Sequence, residues 1–386
     1  QCTICWYVDD NKVSHKKSEV VDKVIGWIEG KFGKMSTTRG DIHDFLGMNV
    51  NFKKGKVTIT MKKHILRAID TFLDEITRSA ATPAKGYLFE VREGSTKLDE
   101  TRADNFHSVV AALLFVSRRC RLDIQVAVGF LTTRVSEPDE DDWAKLKRVL
   151  QYLRGTLDLT LTIGGLSIQH MQSWVDVSYG VHSDGKSHTG GCISFGIGAV
   201  GTKCQKQKLN VKSSTEGEIV GVSDYLPSMI WSSMFLEAQG YPVVDNVLYQ
   251  DNQSAIKIIK NGRRSSGQKT RHMNIRYLWF KDRLESEKIR VVYCPTENML
   301  ADFFTKPLQG SLFRKFRDAV MGYTTIESIA HKPEKVPQQE RVGKDDIQGD
   351  LCSSGDRTSG MGEDGTSASV KGKVLSYLDV AKKGLV

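Results

Sequence analysis

Four acids spread through the second half of the chain have the residue type and the setting to hold divalent cations: Asp176, Glu218, Asp251 and Asp302. Asp251 follows the apolar pair Leu248-Tyr249 and precedes Ser254-Ala255-Ile256, where a helical pattern begins. A carboxylate at the carboxyl end of a strand, beside the N-terminus of the next helix, is well placed to hold a metal ion. Asp176 lies in Trp174-Val175-Asp176-Val177-Ser178, Glu218 in Thr215-Glu216-Gly217-Glu218 and Asp302 in Leu300-Ala301-Asp302-Phe303. If these four converge, the chain is a metal-dependent nuclease. Taken singly, each is an ordinary surface acid, as most Asp and Glu are.

Another acid pair, Asp9-Asp10, closes the apolar stretch Trp6-Tyr7-Val8. Two adjacent acids after a strand usually make a solvated hairpin turn. In a polymerase palm, the same turn presents carboxylates to a metal-bound nucleoside triphosphate. Basic residues crowd the stretches near the candidate acids: Lys203, Lys206, Lys208 and Lys212 before Glu218, and Lys257 to Arg271 after Asp251. Such runs are often solvated faces, yet beside metal-binding acids they fit a nucleic-acid backbone. Two motifs fail on context. Gly196-Ile197-Gly198-Ala199-Val200-Gly201 matches G-x-G-x-x-G, but no helical stripe follows it over residues 202–212, so it reads as hairpin punctuation. Cys2 and Cys5 form a Cys-x-x-Cys with no second pair to complete a zinc site.

The elements that must position these acids follow from periodicity. Residues 2–8 form an apolar strand, 18–32 have helical spacing, and 45–52 with 57–61 alternate around Lys53-Lys54-Gly55-Lys56 as a hairpin. Long helices are expected over 106–135. Another helix, 140–153, carries Trp143, Leu146, Val149, Leu150 and Leu153 on one stripe. Strands are expected at 168–177, 191–195 and 199–203, then a helix at 214–239. A strand at 247–250, two helices, a strand at 289–294 and a helix carrying Asp302 complete a mixed sheet with helices on its faces. Residues 331–361 are polar and cannot bury enough surface to offset their ordering entropy, so the tail from 324 is expected to be disordered, with a short helix at 374–380.

The chain has 386 residues, enough for two domains, and no apolar run approaches the ~20 residues that span a bilayer, so no membrane partner is expected. A formal net charge of +9 fits a polyanionic partner. Seven cysteines, odd in number and mostly in apolar runs, point to reduced thiols in an intracellular compartment. The first residue is Gln and the chain opens inside a strand, so it reads as a fragment.

Trp6 to Asp10, Phe45-Leu46-Gly47-Met48, Ala81-Thr82-Pro83, His107-Ser108-Val109-Val110 and Tyr152-Leu153-Arg154-Gly155-Thr156 resemble the reverse transcriptase of copia-type LTR retrotransposons. Asp251-Asn252-Gln253-Ser254-Ala255, Pro295-Thr296-Glu297 and Ala301-Asp302, followed by Thr305-Lys306-Pro307-Leu308, resemble that family's RNase H domain. The resemblance covers roughly residues 1–323 and recurs in family order. It implies the C-terminal part of a Pol polyprotein of α/β (α+β) class. Residues 1–160 would be a truncated reverse transcriptase holding the end of the palm and the thumb or connection. Residues 165–323 would be an RNase H-like mixed sheet flanked by helices, with a disordered tail from 324 to 386.

Carried onto this chain, the family's roles make Asp9 and Asp10 resemble the paired palm acids and metal ligands. The family's other palm aspartate lies upstream of Gln1, so polymerase activity is not expected. Asp176, Glu218, Asp251 and Asp302 resemble the four RNase H acids, both catalytic and metal-binding. Where the family often has Asp-Ala-Asp-Trp, this chain has Asp176-Val177-Ser178-Tyr179. Glu216 and Glu218 compete for the second role; they are ~200° apart on a helix, so only one can face the metals. Glu218 is preferred because it shares a face with Val222 and matches the family's acid. The resemblance implies two Mg²⁺ ions and hydrolysis of the RNA strand of RNA/DNA hybrids. Lys203, Lys206 and Lys208 correspond to a basic stretch of the family before the second acid and are candidate contacts to hybrid phosphates, with Arg271 and His272 as further candidates. His272 itself reads as structural rather than catalytic. The same resemblance implies a place beside the rest of the Pol polyprotein, in a cytoplasmic virus-like particle or the nucleus. The competing reading is a catalytically silent relic that only binds nucleic acid, prompted by Ser178 and by Asn274, which replaces a common Asp.

Overall fold

Apolar alternation around a tight turn makes the first segment a hairpin. A computed structural model describes residues 2–53, 55–165, 167–261, 274–329 and 366–371. They divide into two units, residues 2–40 with 366–371, and residues 41–329.

In the first unit β1 (Thr3–Tyr7) and β2 (Asp10–His15) pair antiparallel, with Tyr7 opposite Asp10. Val8 and Asp9 make the turn, Val8 at φ 51°. Helix α1 (Ser18–Phe32) packs Val21 and Ile25 with Val13 of β2, and β3 (Ser36–Arg39) follows. The strand Thr366–Lys371 inserts between β2 and β3, antiparallel to both. These six residues correct the expectation of disorder from 324 onward. Pairing to a strand edge uses backbone N–H and C=O groups rather than large apolar side chains, so polarity did not forbid it. The helix expected at 374–380 lies outside the described residues.

In the second unit β4 (Ile42–Phe45), β5 (Met48–Lys53) and β6 (Lys56–Thr60) form an antiparallel meander, including the hairpin expected around residues 53–56. Four helices follow: α2 (Lys62–Thr71), α3 (Glu100–Arg119), α4 (Gln125–Leu131) and α5 (Glu140–Gly155). Asp139 caps α5, and the expected stripe of Trp143, Leu146, Val149, Leu150 and Leu153 is buried. Next come β7 (Leu161–Gly165), β8 (His170–Ser178), β9 (His188–Ser194), β10 (Gly196–Ile197) and β11 (Gly201–Lys206). The G-x-G-x-x-G glycines thus run into strands, as their hairpin reading requires. Helix α6 (Ser214–Ala238), β12 (Asp245–Gln250), α7 (Gln253–Asn261), α8 (Asn274–Ser286), β13 (Ile289–Tyr293) and α9 (Gly310–Val320) complete the unit.

The strands form two sheets, ordered β10-β7-β6-β5-β4 and β11-β9-β8-β12-β13. In the second, β8, β9 and β11 are antiparallel while β12 runs parallel to both β8 and β13. One apolar cluster joins Phe106 and Leu150 of the helices to Trp174, Tyr249 and Phe304. Packing also continues past 323, where Ile326 and Ile329 are buried. Asp302 sits in a 3₁₀ turn, Leu300–Phe304, rather than in an α-helix. All five of its residues are buried, which leaves no solvent face, and Pro307 shortly after cannot extend a helix. Among the described residues no helix is long and apolar enough to cross a membrane.

Candidate metal centre

Asp176 lies on the central strand β8, opposite Gly190 of β9. On the other side β12 runs parallel in a register that sets Tyr249 against Trp174. Two residues further on, where β12 has ended, Asp251 comes level with Asp176. Helix α6 is brought onto β8 by small residues: a Cβ at Gly221 would fall 2.5 Å from Val177 Cγ2. That close approach sets Glu218 beside Asp176. Ser213 caps the helix by accepting from the Glu216 N–H at 3.2 Å, and Glu216 Oε2 accepts from the Lys212 N–H at 2.8 Å. Glu216 therefore serves the start of the helix while Glu218 turns to the sheet.

The last acid arrives by another tight contact. A Cβ on Gly190 would lie 2.5 Å from Thr305 Cγ2 and 2.8 Å from the Phe304 carbonyl carbon, so only glycine lets the Asp302 segment lie on the sheet. Ligand oxygens of Asp176, Glu218 and Asp251 all lie within 4.8 Å of one another. Asp302 is not a fourth member of that mutually close set. It joins through Lys306, whose Nζ is 2.7 Å from Asp302 Oδ1 and 3.7 Å from Asp176 Oδ2. Thr305 Oγ1 donates to Asp176 Oδ2 and Ser178 Oγ donates to the Thr305 carbonyl at 3.1 Å. Asp176, Glu218 and Asp302 are buried and Asp251 is half-buried.

Crowded acids taken out of water resist ionisation. Burial, then Asp176 and Asp251, push the Glu218 carboxyl well above the usual range. Burial and Asp176 also raise Asp251 against the pull of Lys306, and they push Asp302 up to about 7. Burial alone would lower Lys306, but Asp176, Asp302 and Asp251 outweigh it and raise its pKa. Oxygen-only donors under this mutual repulsion suit a hard divalent cation, whose charge would relieve it.

Lys306 and Thr305 also line a cleft of about 670 Å³ beside the acids, with Tyr87, Phe89, Ser178 and His182. Gln250 is the hidden part of the centre. Its Nε2 donates to Glu218 Oε2 at 3.1 Å and to the Val175 carbonyl at 3.3 Å. Thr305 and Lys306 belong to Thr305-Lys306-Pro307-Leu308, whose sequence alone assigns them no role, and Gln250 precedes Asp251, with strand alternation from Tyr249 the one signal of its inward face.

The other candidate residues sit elsewhere. Asp9 is exposed in the β1–β2 turn, Asp10 opens β2, and among the described residues no third His, Cys, Asp or Glu joins them at ligand-sharing distance. Lys203 turns to α6, where its Nζ donates to the Asp224 carbonyl, and burial lowers its pKa. Lys206 pairs with Asp184 at 2.8 Å, and Lys208 is exposed. Arg271 and His272 lie outside the described residues.

No family model matches the chain, and no solved structure matches it significantly. Curated proteins do. The retrovirus-related Pol polyprotein from transposon TNT 1-94 of Nicotiana tabacum is 27% identical over 321 residues, covering 81% of this chain and 24% of that protein. The Pol polyprotein from transposon RE2 of Arabidopsis thaliana is 26% identical over 313 residues, 80% of this chain and 21% of its own length. The Ty1-LR3 Gag-Pol polyprotein of Saccharomyces cerevisiae is 22% identical over 338 residues, 81% and 19% respectively. The chain thus spans about a quarter or less of these relatives. Over about four-fifths of its own length it is homologous to copia-type retrotransposon Pol polyproteins.

Proposed function

We propose that residues 165–323 carry an RNase H-type activity, the Mg²⁺-dependent hydrolysis of the RNA strand of RNA/DNA hybrids. The observation that carries the reading is the convergence of Asp176, Glu218 and Asp251 within 4.8 Å from three separate elements, with Asp302 beside them. Homology to retrotransposon Pol polyproteins supports the substrate class. Residues 1–160 are read as reverse transcriptase sequence, and Asp9 and Asp10 play no part in the proposed hydrolysis.

Asp176, Glu218 and Asp251 would hold one ion, and Asp176 with Asp302 a second. When bound, Mg²⁺ would supply Lewis-acid stabilisation of the charge developing on the scissile phosphate and a lowered pKa for an attacking water. The chain's own residues do the rest. Gln250 fixes the Glu218 carboxylate and the turn that carries Asp251. Thr305 orients Asp176 through Oδ2. The cleft of about 670 Å³ admits a strand backbone up to Lys306, whose ammonium meets phosphate as a point charge. Choice of the RNA strand would rest on contacts to its 2′-hydroxyl groups.

A labelled RNA/DNA hybrid incubated with the chain and Mg²⁺ is the test. Cleavage of the RNA strand that disappears in Asp251→Asn is expected. Hybrid binding without cleavage, unchanged by that substitution or by EDTA, would instead favour the silent-relic reading.

A further inference from the structure

A cation already sits on one edge of the acid cluster. Lys306 Nζ contacts Asp302 Oδ1 at 2.7 Å and stands 3.7 Å from Asp176 Oδ2, so it lies on the edge that these two carboxylates share. The opposite edge, between Glu218 and Asp251, has no cation in contact among the described residues, although Lys306 also attracts Asp251 from further off: Glu218 Oε2 accepts from the uncharged Gln250 amide at 3.1 Å, and Asp251 Oδ2 accepts from Thr296 Oγ1 at 3.5 Å. The side chain of Lys306 is 38% exposed, against 6% for Asp302. It reaches the site from the cleft, and a four-carbon stem lets it swing back there without disturbing the sheet.

We propose that Lys306 is a resident cation that makes the two ion positions unequal. It is a positioning residue, and the inference rests on the two-ion reading of the same acids. The position formed by Asp176, Glu218 and Asp251 fills first. The position on the Asp176–Asp302 edge fills only when Lys306 leaves it, since two divalent ions together with the ammonium exceed the charge of four carboxylates. An ammonium and a divalent ion that shared one pair of carboxylates would repel, weakening the second ion by about tenfold or more. A substrate phosphate in the cleft offers the displaced ammonium a new partner, so that loading of the second ion is coupled to the arrival of nucleic acid.

Calorimetry of Mn²⁺ binding to the whole chain at fixed pH, without nucleic acid, tests this apart from any activity. The wild type is expected to bind one ion tightly and a second weakly. Lys306→Gln and Lys306→Met, two neutral replacements so that a folding defect in one leaves the other, should tighten the second event by about tenfold. They should also melt earlier than the wild type in EDTA, because the acids lose their counter-ion. Lys306→Arg should keep the weak second event. An unchanged second affinity in both neutral variants overturns the role of Lys306 while leaving the nuclease reading intact. Failure of the wild type to bind any ion overturns both, and the two failures are thus distinct.

Discussion

Gln250 and Glu218 are joined at the buried floor of the acid cluster. The Gln250 Nε2 donates to Glu218 Oε2 at 3.1 Å, while its Oε1 accepts from the N–H groups of Asp251 and Asn252 at 2.8 and 3.0 Å. One side chain therefore holds a carboxylate of α6 and the turn that presents the carboxylate after β12. Asn252 in turn caps α7, its Oδ1 accepting from the Ala255 N–H at 3.0 Å.

Gln250→Leu keeps roughly the volume and removes these bonds. The Asp251 and Asn252 N–H groups and the Glu218 carboxylate then lose a buried partner. A loss of about 2–4 kcal/mol is expected in urea denaturation without divalent ions. Hybrid cleavage should fall with it even at temperatures where the variant is folded. Wild-type stability in the Gln250→Leu variant would show that these bonds do not hold the cluster together.

Glu218→Gln should stabilise the metal-free protein at neutral pH. The folded-state pKa of Glu218 is raised, so its favourable contribution is complete below the ordinary Glu pKa and is lost as pH rises through the folded value. The stability advantage of the variant over the wild type in EDTA should be smallest in acid and grow as pH rises above the ordinary Glu range. The buried His182 and His188, lowered to about 4 and about 3, act equally in both proteins and cancel in this difference. Adding Mg²⁺ should raise the wild-type melting temperature more than that of the variant. A difference that shrinks with rising pH would contradict the repulsion described here.

Gly190→Ala tests how Asp302 is seated. Its Cβ would sit 2.5 Å from Thr305 Cγ2 and 2.8 Å from backbone at Phe304, so the Leu300–Phe304 turn must move. A cost of about 2–3 kcal/mol is expected. Displacing Asp302, Thr305 and Lys306 together should slow cleavage by about a hundredfold. Gly190→Ala protein cleaving at the wild-type rate would show that the turn can be reseated without consequence.

Much of the site was readable from residue order. Asp176 and Asp251 stand where apolar strands end, and the helical spacing of residues 214–239 sets Glu216 and Glu218 on different faces. These are local signals, carried by a few consecutive residues and their periodicity. The mixed sheet with helices on its faces follows from the same signals, and α1 spans the expected residues 18–32.

What local signals cannot carry is which distant pieces meet. The pairing of Thr366–Lys371 with β2 and β3 is a backbone match between segments far apart in the chain, and its polar composition argued against it. Packing of Phe106 and Leu150 with Trp174 and Phe304 joins stretches that motif order had set in separate domains. Residue order by itself determined the acids of the candidate site, because their types and strand-end settings are properties of short segments. Only the tertiary structure decided that Gln250 lies beneath them and that Lys306 sits among them. Each of those depends on the close approach of elements at Gly190 and Gly221, which a chain far from its folded partners does not express.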